Sequence, residues 1–544
     1  MKRPPGFVVP LVAALLLAAC TPSNPSNPSS ESPTVGSTLR PHTQLPTPNT
    51  GHTTPQPQNL FTAKTSPDRE LIPADPTVKP TGFVDPPPGS GLDRYFNQPV
   101  VWNPCDSRYE CSKVSAPLDW STPDGQAITL AIRRLPASQG PRLGSLFINP
   151  GGPGMPAQDF VRGFNNEGLM QYDIIGVDPR GSGESTPVKC GTDEQTDAYN
   201  NLDWSPDDGA ETQALIEGIK AFAAQCRAGS GVLLEHISSQ EAVYDFDLVR
   251  ELLGEQKFNF LGVSYGTRLG SLYAELFGDK VGRMVLDSAV NITDQDNVAQ
   301  TDGFELSLHN YAKWCVSGSK CPLGTTEDQV VGRVSSLLNQ LDEAPKDVGD
   351  RLLTQSLAEA GLAFFFYGGQ TNYNLITQVL QWTLSSNNGQ YLLDGADVLN
   401  DRGKDRHYGP LAYAFPAISC LDAADKGLLE AFSTWKVDAQ KAPVFGTYAG
   451  PNALCTLWSV KPAAQVKITA PDAPEILVLG STGDPATPYS YAESMSKQLT
   501  RAVLVTRDGA GHGAYNAGSK CVDDAVRGYL AQGTVPSAGL ICSA

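Results

Sequence analysis

The sequence predicts an α/β protein: a mostly parallel, doubly wound sheet interrupted by a helical insertion. Three observations carry that reading. Short apolar, β-rich runs end in glycine turns and pass into helical stretches, the alternation expected of parallel strands covered on both faces. From about Asn291 to Thr469 the alternation lapses and the chain reads as mostly helical. It then resumes with Glu475-Ile-Leu-Val-Leu-Gly480 and Ala502-Val-Leu-Val-Thr506.

Taken in order, the chain begins with Lys2 and Arg3 ahead of an apolar run from Phe7 to Ala19, which reads as an export signal. The run meets a cysteine at Leu17-Ala-Ala-Cys20. This resembles a bacterial lipobox, so residues 1–20 are expected to be a lipoprotein signal peptide, with Cys20 taking the lipid. An ordinary signal peptide with a coincidental cysteine is the alternative. From Thr21 to Ser90 there are 16 prolines in 70 residues, mixed with Ser, Thr and Asn. Such a stretch buries too little apolar surface to offset its ordering entropy, so residues 21–91 are expected to be a disordered linker.

Order is expected from Leu92. Two strands fall between Cys111 and Pro136, the second at Ala127–Arg133. Ser145–Asn149 runs into Pro150-Gly-Gly-Pro-Gly154, and Tyr172–Asp178 into Pro179-Arg-Gly-Ser-Gly183. Phe258–Leu261 runs into Gly262-Val-Ser-Tyr-Gly266 and a helical stretch from Thr267 to Phe277, followed by a strand at Arg283–Asp287. The clearest helices of the insertion are Leu352–Tyr367 and Asn374–Ser385. Residues 92–290 and 470–544 are thus two parts of one sheet domain, with 291–469 a helical cap between them.

Composition narrows the function. Lys+Arg 40 against Asp+Glu 58 gives a net charge of −18 with no basic run, a poor counterion for phosphate, so no nucleic-acid partner is expected. Beyond the first 20 residues nothing resembles a membrane span, which excludes a polytopic membrane protein. With Cys20 set aside, ten cysteines remain, none in a CxxC pair and none beside a histidine cluster. That pattern suits disulfides in an oxidising compartment and disfavours zinc. Pairing sequential neighbours gives Cys105–Cys111, Cys190–Cys226, Cys315–Cys321, Cys420–Cys455 and Cys521–Cys542, although sequence alone cannot fix connectivity. No G-x-x-x-x-G-K-[ST] occurs. Neither metal nor cofactor is expected.

The chemistry lies in a few residues. Gly262-Val-Ser264-Tyr-Gly266 follows a strand and opens a helix, the setting of a nucleophile elbow in which a serine hydroxyl is exposed on a tight turn. Its base must follow in the chain, after the acid. Of His309, His407 and His512, the first two fall in the insertion, His407 at the end of a charged run. His512 sits in Gly509-Ala-Gly-His-Gly513, directly after the last apolar strand, where glycines let a loop carry the imidazole inward. The favoured acid is Asp484, which leaves the preceding strand in Gly480-Ser-Thr-Gly-Asp-Pro. Asp287 competes from the end of an earlier strand, and Asp508 is too close to His512 along the chain. Oxyanion donors are expected from the amides of Tyr265, next after the nucleophile, and of Gly152 in the glycine turn.

Taken together, Asn149-Pro-Gly-Gly-Pro-Gly154, Asp178-Pro-Arg-Gly-Ser-Gly183, Gly262-Val-Ser-Tyr-Gly266 and Gly480-x-x-Gly-Asp484-Pro-x-Thr-Pro488 resemble the secreted bacterial tripeptidyl aminopeptidases. These are α/β-hydrolases related to prolyl aminopeptidases. Val114-x-Ala-Pro-Leu-Asp-Trp120, Ala417-Ile-Ser-Cys-x-Asp422 and Cys455-x-x-Trp458 extend the likeness across about Pro104 to Cys542. The resemblance implies an α/β-hydrolase fold with Ser264, Asp484 and His512 as the triad. It also implies release of tripeptides or single residues from free peptide N-termini. In such enzymes cap carboxylates bind the substrate ammonium; Glu359 and Asp422 are candidates, while Phe364-Phe-Phe-Tyr367 reads rather as helix core. Met155-Pro156 replaces the small residues that many relatives carry after the glycine turn. The expected protein is an extracytoplasmic, lipid-anchored serine hydrolase, most simply an aminopeptidase. An esterase or lipase on the same triad is the rival, and a non-catalytic binding lipoprotein a more distant one.

Overall fold

The computed structural model describes residues 51–55, 60–62, 65–293, 298–318, 320–386 and 388–544. The expected export signal, Cys20 and the expected linker up to residue 50 lie outside the described residues. Ten strands build the main sheet: β1 Asn103–Asp106, β2 Tyr109–Pro117, β3 Ala127–Leu135, β4 Gly144–Asn149 and β5 Tyr172–Val177. The others are β6 Phe258–Val263, β7 Val281–Asp287, β8 Ile476–Gly483, β9 Ala502–Ala510 and β10 Leu540–Ser543. They lie in the order β10-β9-β8-β7-β6-β4-β5-β3-β2-β1, and a short strand, Phe83–Val84, pairs beside β3. β4 through β10 pair in parallel, and β1 to β3 form an antiparallel edge. The fold is that of an α/β-hydrolase.

The continuous apolar runs make this arrangement because successive residues feed opposite cores. Phe147 and Ile175 pack into the core beneath helices α1 Gly209–Ser230, α2 Ser239–Leu252 and α3 Gly266–Leu276. Leu146, Ile148 and Ile174 pack into the core on the other face, with Val522, Val526 and Leu530 of the helix Lys520–Gln532. β4 and β5 are buried at every position, and the polar residues they carry are paired. Ser145 donates to Glu255, Asn149 Oδ1 accepts the Gly151 N–H, and Asp173 accepts from the Ala137 N–H and Arg142.

Between β7 and β8 the chain builds the cap: α4 Gln300–Ser317, α5 Glu327–Glu343, α6 Gln355–Phe366, α7 Tyr373–Ser385, α8 Gln390–Leu399, α9 Leu411–Asp422 and α10 Leu428–Lys441. Helices α4 to α8 share their own core, including Leu308, Val334, Leu362, Ile376 and Leu392. α9 belongs elsewhere. Its Ala414, Ala417, Ile418 and Leu421 join the core of the sheet domain, so the last part of the insertion packs back on the hydrolase body. The helix expected from Leu352 begins at Gln355, capped by the Thr354 hydroxyl, because Lys346–Val348 and Arg351–Leu353 form a small antiparallel pair.

The expectation that the linker runs to residue 91 is corrected. The Arg69 side chain is fully buried, its Nε donates to Asp425 Oδ2 at 2.9 Å, and its other nitrogens donate to the carbonyls of Val460 and Cys455. Ile72 N–H donates to Ser459 O, and Ile72 O accepts from Arg227. Buried charge-assisted bonds of this kind offset the ordering entropy that the proline-rich composition advertises. Disulfides join Cys105–Cys111, Cys190–Cys226, Cys315–Cys321, Cys420–Cys455 and Cys521–Cys542. Among the described residues no helix is long and apolar enough to cross a membrane.

Candidate active site

β6 ends at Val263, and the next residue, Ser264, takes φ of 57°, a conformation that L-residues adopt only where the surroundings enforce it. The glycines on either side make the turn possible. A Cβ on Gly262 would lie 2.4 Å from Gly266 O, and one on Gly266 would lie 2.8 Å from Asn149 O. The serine therefore stands at the carboxyl edge of the sheet, with the N-terminus of α3 directly behind it. Its N–H donates to Asp287 O at 2.8 Å.

Asp484 follows β8 and is 1% exposed. Its Oδ1 accepts the N–H groups of Ala486 (3.0 Å) and Thr487 (2.9 Å), and its Oδ2 accepts the Ser288 hydroxyl (2.7 Å). His512 Nδ1 lies 2.9 and 3.0 Å from the two carboxylate oxygens. The His512 N–H donates to Tyr367 O at 3.0 Å, and the Tyr367 ring meets the imidazole edge-on at 5.2 Å. Burial works against the imidazolium and the Asp484 charge favours it; the net effect holds His512 above its ordinary 6.5.

The structure thus brings His512 and Asp484 together, and it separates Asp287 from that role. The Asp287 carboxylate accepts N–H groups from Ala514 (2.9 Å) and Tyr515 (2.9 Å), so it grips the loop rather than the imidazole. Burial lifts it to about 6. Asp508 accepts from Thr482, His309 pairs with Glu327 within the cap, and exposed His407 pairs with Asp193. On the glycine turn, a Cβ at Gly151 would fall 2.7 Å from Tyr265 N, so that residue lies directly against the elbow. Its own N–H is taken by Asn149 Oδ1 at 2.9 Å. Gly152 follows at φ 105°.

In the cap, α4 and α6 border a cavity of about 260 Å³ lined by Asn200, Trp204, Thr301, Phe304, Glu359 and others. Among the described residues the Glu359 carboxylate has no hydrogen-bond or ion-pair partner, and burial lifts it to about 8. Phe304 connects this cavity to the site: its ring lies 6.0 Å from that of Tyr367. Asp422 is a different case. It accepts the Tyr265 hydroxyl and the Ser239 N–H at the start of α2, so it braces the elbow helix. The Asp178-Pro-Arg-Gly-Ser-Gly motif is likewise structural. Arg180 is fully buried, bonding Asp245 twice at 2.7 Å and the carbonyls of Pro117 and Leu118. Asp119, His236 and Glu241 offer three ligand atoms close together. Arg180 lies 3.6 Å from Glu241, however, and Ser121 and Thr122 occupy the Asp119 carboxylate.

Sequence reasoning missed the roles of Ser288, Thr487 and Tyr367. Thr487 stands in the Gly480-x-x-Gly-Asp-Pro-x-Thr-Pro488 motif with no role read for it, and no motif marks Ser288. Tyr367 reads as the end of an aromatic helix core, yet it alone of that run touches the imidazole loop.

A parallel sheet with a strained serine on a strand-to-helix turn, tied through Asp287 to the loop of a buried imidazole–carboxylate pair, defines a serine hydrolase of the α/β-hydrolase class. A family model described as TAP-like protein matches residues 442–542. The chain is 33% identical over 487 residues to the serine protease Hip1 of Mycobacterium tuberculosis, covering 82% of this chain and 91% of that one. It is 36% identical over 459 residues to carboxylesterase B of the same species (80% and 86%), and 28% identical over 471 residues to a tripeptidyl aminopeptidase of Streptomyces lividans (82% and 86%). The chain belongs to this family of α/β-hydrolase serine hydrolases.

Proposed function

We propose that the protein is an exported, lipid-anchored serine aminopeptidase that releases tripeptides from free peptide N-termini. Ser264 Oγ attacks the scissile carbonyl carbon while His512 Nε2 takes its proton; the Nδ1 proton stays hydrogen-bonded to Asp484. The oxyanion is held by the amides of Tyr265 and Gly152, the latter chosen because the Gly151 N–H is already engaged. His512 then protonates the leaving amine. Water, deprotonated by the same imidazole, resolves the acyl-enzyme and frees the short peptide with a new carboxylate.

One observation carries the peptidase reading: Glu359 is an unpartnered carboxylate in a cavity joined to the imidazole loop through Phe304 and Tyr367. A peptide ammonium would supply the missing countercharge. Tyr367, the C-cap of α6, lies eight positions after Glu359, or about 12 Å along the axis at the α-helical rise. Three extended residues span roughly 10 Å, which favours a tripeptide over a single residue. The anchor at Cys20 and the export signal rest on the sequence alone.

An esterase reading is favoured by the carboxylesterase relative. A panel of aminoacyl, tripeptidyl and N-blocked arylamides beside simple aryl esters tests both. Turnover of free-amine tripeptidyl arylamides, with blocked ones resisted, is the expected result. Turnover of esters alone would establish the esterase instead.

A further inference from the structure

The turns that carry Ser264, Asp484 and His512 come from three distant stretches of chain, and all of them meet one dipeptide. The Asp287 carbonyl accepts the Ser264 N–H at 2.8 Å. The Asp287 carboxylate, 1% exposed, accepts the N–H groups of Ala514 and Tyr515, directly beyond the imidazole. The Ser288 hydroxyl donates to Asp484 Oδ2 at 2.7 Å and accepts the Gly513 N–H at 2.8 Å. The Ser288 N–H donates to Leu479 O on β8, the strand that leads to Asp484.

Ser288 makes these bonds from φ of 52°. A non-glycine residue in that region costs free energy, and a glycine would serve the turn better. The side chain is therefore present for what its oxygen does. A hydroxyl has one proton, and here it is given to the carboxylate while a lone pair receives the loop amide. With two backbone amides on Oδ1 and the hydroxyl on Oδ2, the Asp484 carboxylate cannot rotate away from the imidazole.

We infer that Asp287 and Ser288 are positioning residues that clamp the nucleophile turn, the acid and the imidazole loop into one register. The inference rests on the triad reading above, and the experiment separates the two. Ser288→Gly removes the hydroxyl and relieves the backbone, so a melting temperature no lower than wild type is expected. Turnover of a tripeptidyl p-nitroanilide should fall about 10- to 100-fold in kcat, the scale of a slight misalignment of reacting groups, with KM within twofold. The labelling rate with a fluorophosphonate, which needs no peptide subsite, should fall by the same factor. Asp287→Asn, which keeps one acceptor oxygen for two amides, should show the same split. Wild-type kcat and labelling in Ser288→Gly would overturn the clamp, as would a loss of activity that merely follows a lowered melting temperature. Ser264→Ala is measured alongside. If it keeps its turnover the triad reading falls, whereas an inactive Ser264→Ala beside an unimpaired Ser288→Gly removes the clamp alone.

Discussion

The sheet edge and the cap cavity handle their carboxylates in opposite ways: Asp484 and Asp287 are buried, whereas Glu359 is half-buried in its cavity wall. At the sheet edge Asp484 has three donors besides the imidazole, and Asp287 has two backbone amides. In the cap, Glu359 faces its cavity without one. A satisfied carboxylate is a finished part, set before substrate arrives, as electrostatic preorganisation requires. A carboxylate that lines a cavity with no protein donor is open to a ligand that brings one. In the function proposed above, the first region does the chemistry and the second recognises the substrate.

The strongest way to break that division is to remove the chemistry alone. Ser264→Ala should lower kcat by about 10⁴-fold or more, with fluorophosphonate labelling abolished and binding of a tripeptide product unchanged by calorimetry. Retained labelling would move the nucleophile elsewhere. Asp484→Asn should cost about 10³- to 10⁴-fold, since an amide disfavours the required tautomer.

Removing the partner of recognition should cost less and act on a different constant. Glu359→Gln should raise KM for free-amine tripeptidyl substrates by about 10- to 100-fold, the worth of a charged hydrogen bond, while leaving aryl-ester hydrolysis untouched. The pH dependence follows in sign. With Glu359 near 8 in the empty cavity, binding an ammonium must expel a proton, so KM should fall as pH rises toward 8. A flat KM from pH 6 to 8 would remove Glu359 from the subsite. The smallest effect, and the one shared by ester and peptide substrates, is the acid limb of kcat/KM. Because His512 is held above 6.5 and must be neutral to accept a proton, the midpoint should lie above that value. It should shift downward when Asp484 is replaced.

How much of this was legible in the sequence depends on whether a residue's role is local. The strands were legible because burial on both faces forces continuous apolar runs. Ser264 was legible because its turn needs glycines at fixed offsets, and His512 because it follows the apolar run of β9; the short strand β10 beyond it gave no such run. Asp484 was favoured over Asp287 although both end strands; the loop amides that occupy Asp287 are a tertiary fact. Ser288 carries no signal at all. Its work depends on three loops arriving at one point. Residues 65–91 were misread for the same reason: proline content reports the entropy of a segment, and Arg69 finds Asp425 more than 350 positions away. Glu359 and Asp422 looked alike in sequence, and only packing shows one braced against Tyr265 and the other unpartnered.

The Arg69–Asp425 pair also bears on how the N-terminus can be trimmed. Asp425 lies three residues past the helix whose last residue, Asp422, braces Tyr265. A chain begun at Leu92 would leave a buried carboxylate without its counterion, a loss of about 3–5 kcal/mol, beside the brace of the nucleophile turn. An N-terminal truncation that leaves the enzyme intact must therefore begin ahead of residue 65, so that residues 65–91 stay with the body as a permanent strap.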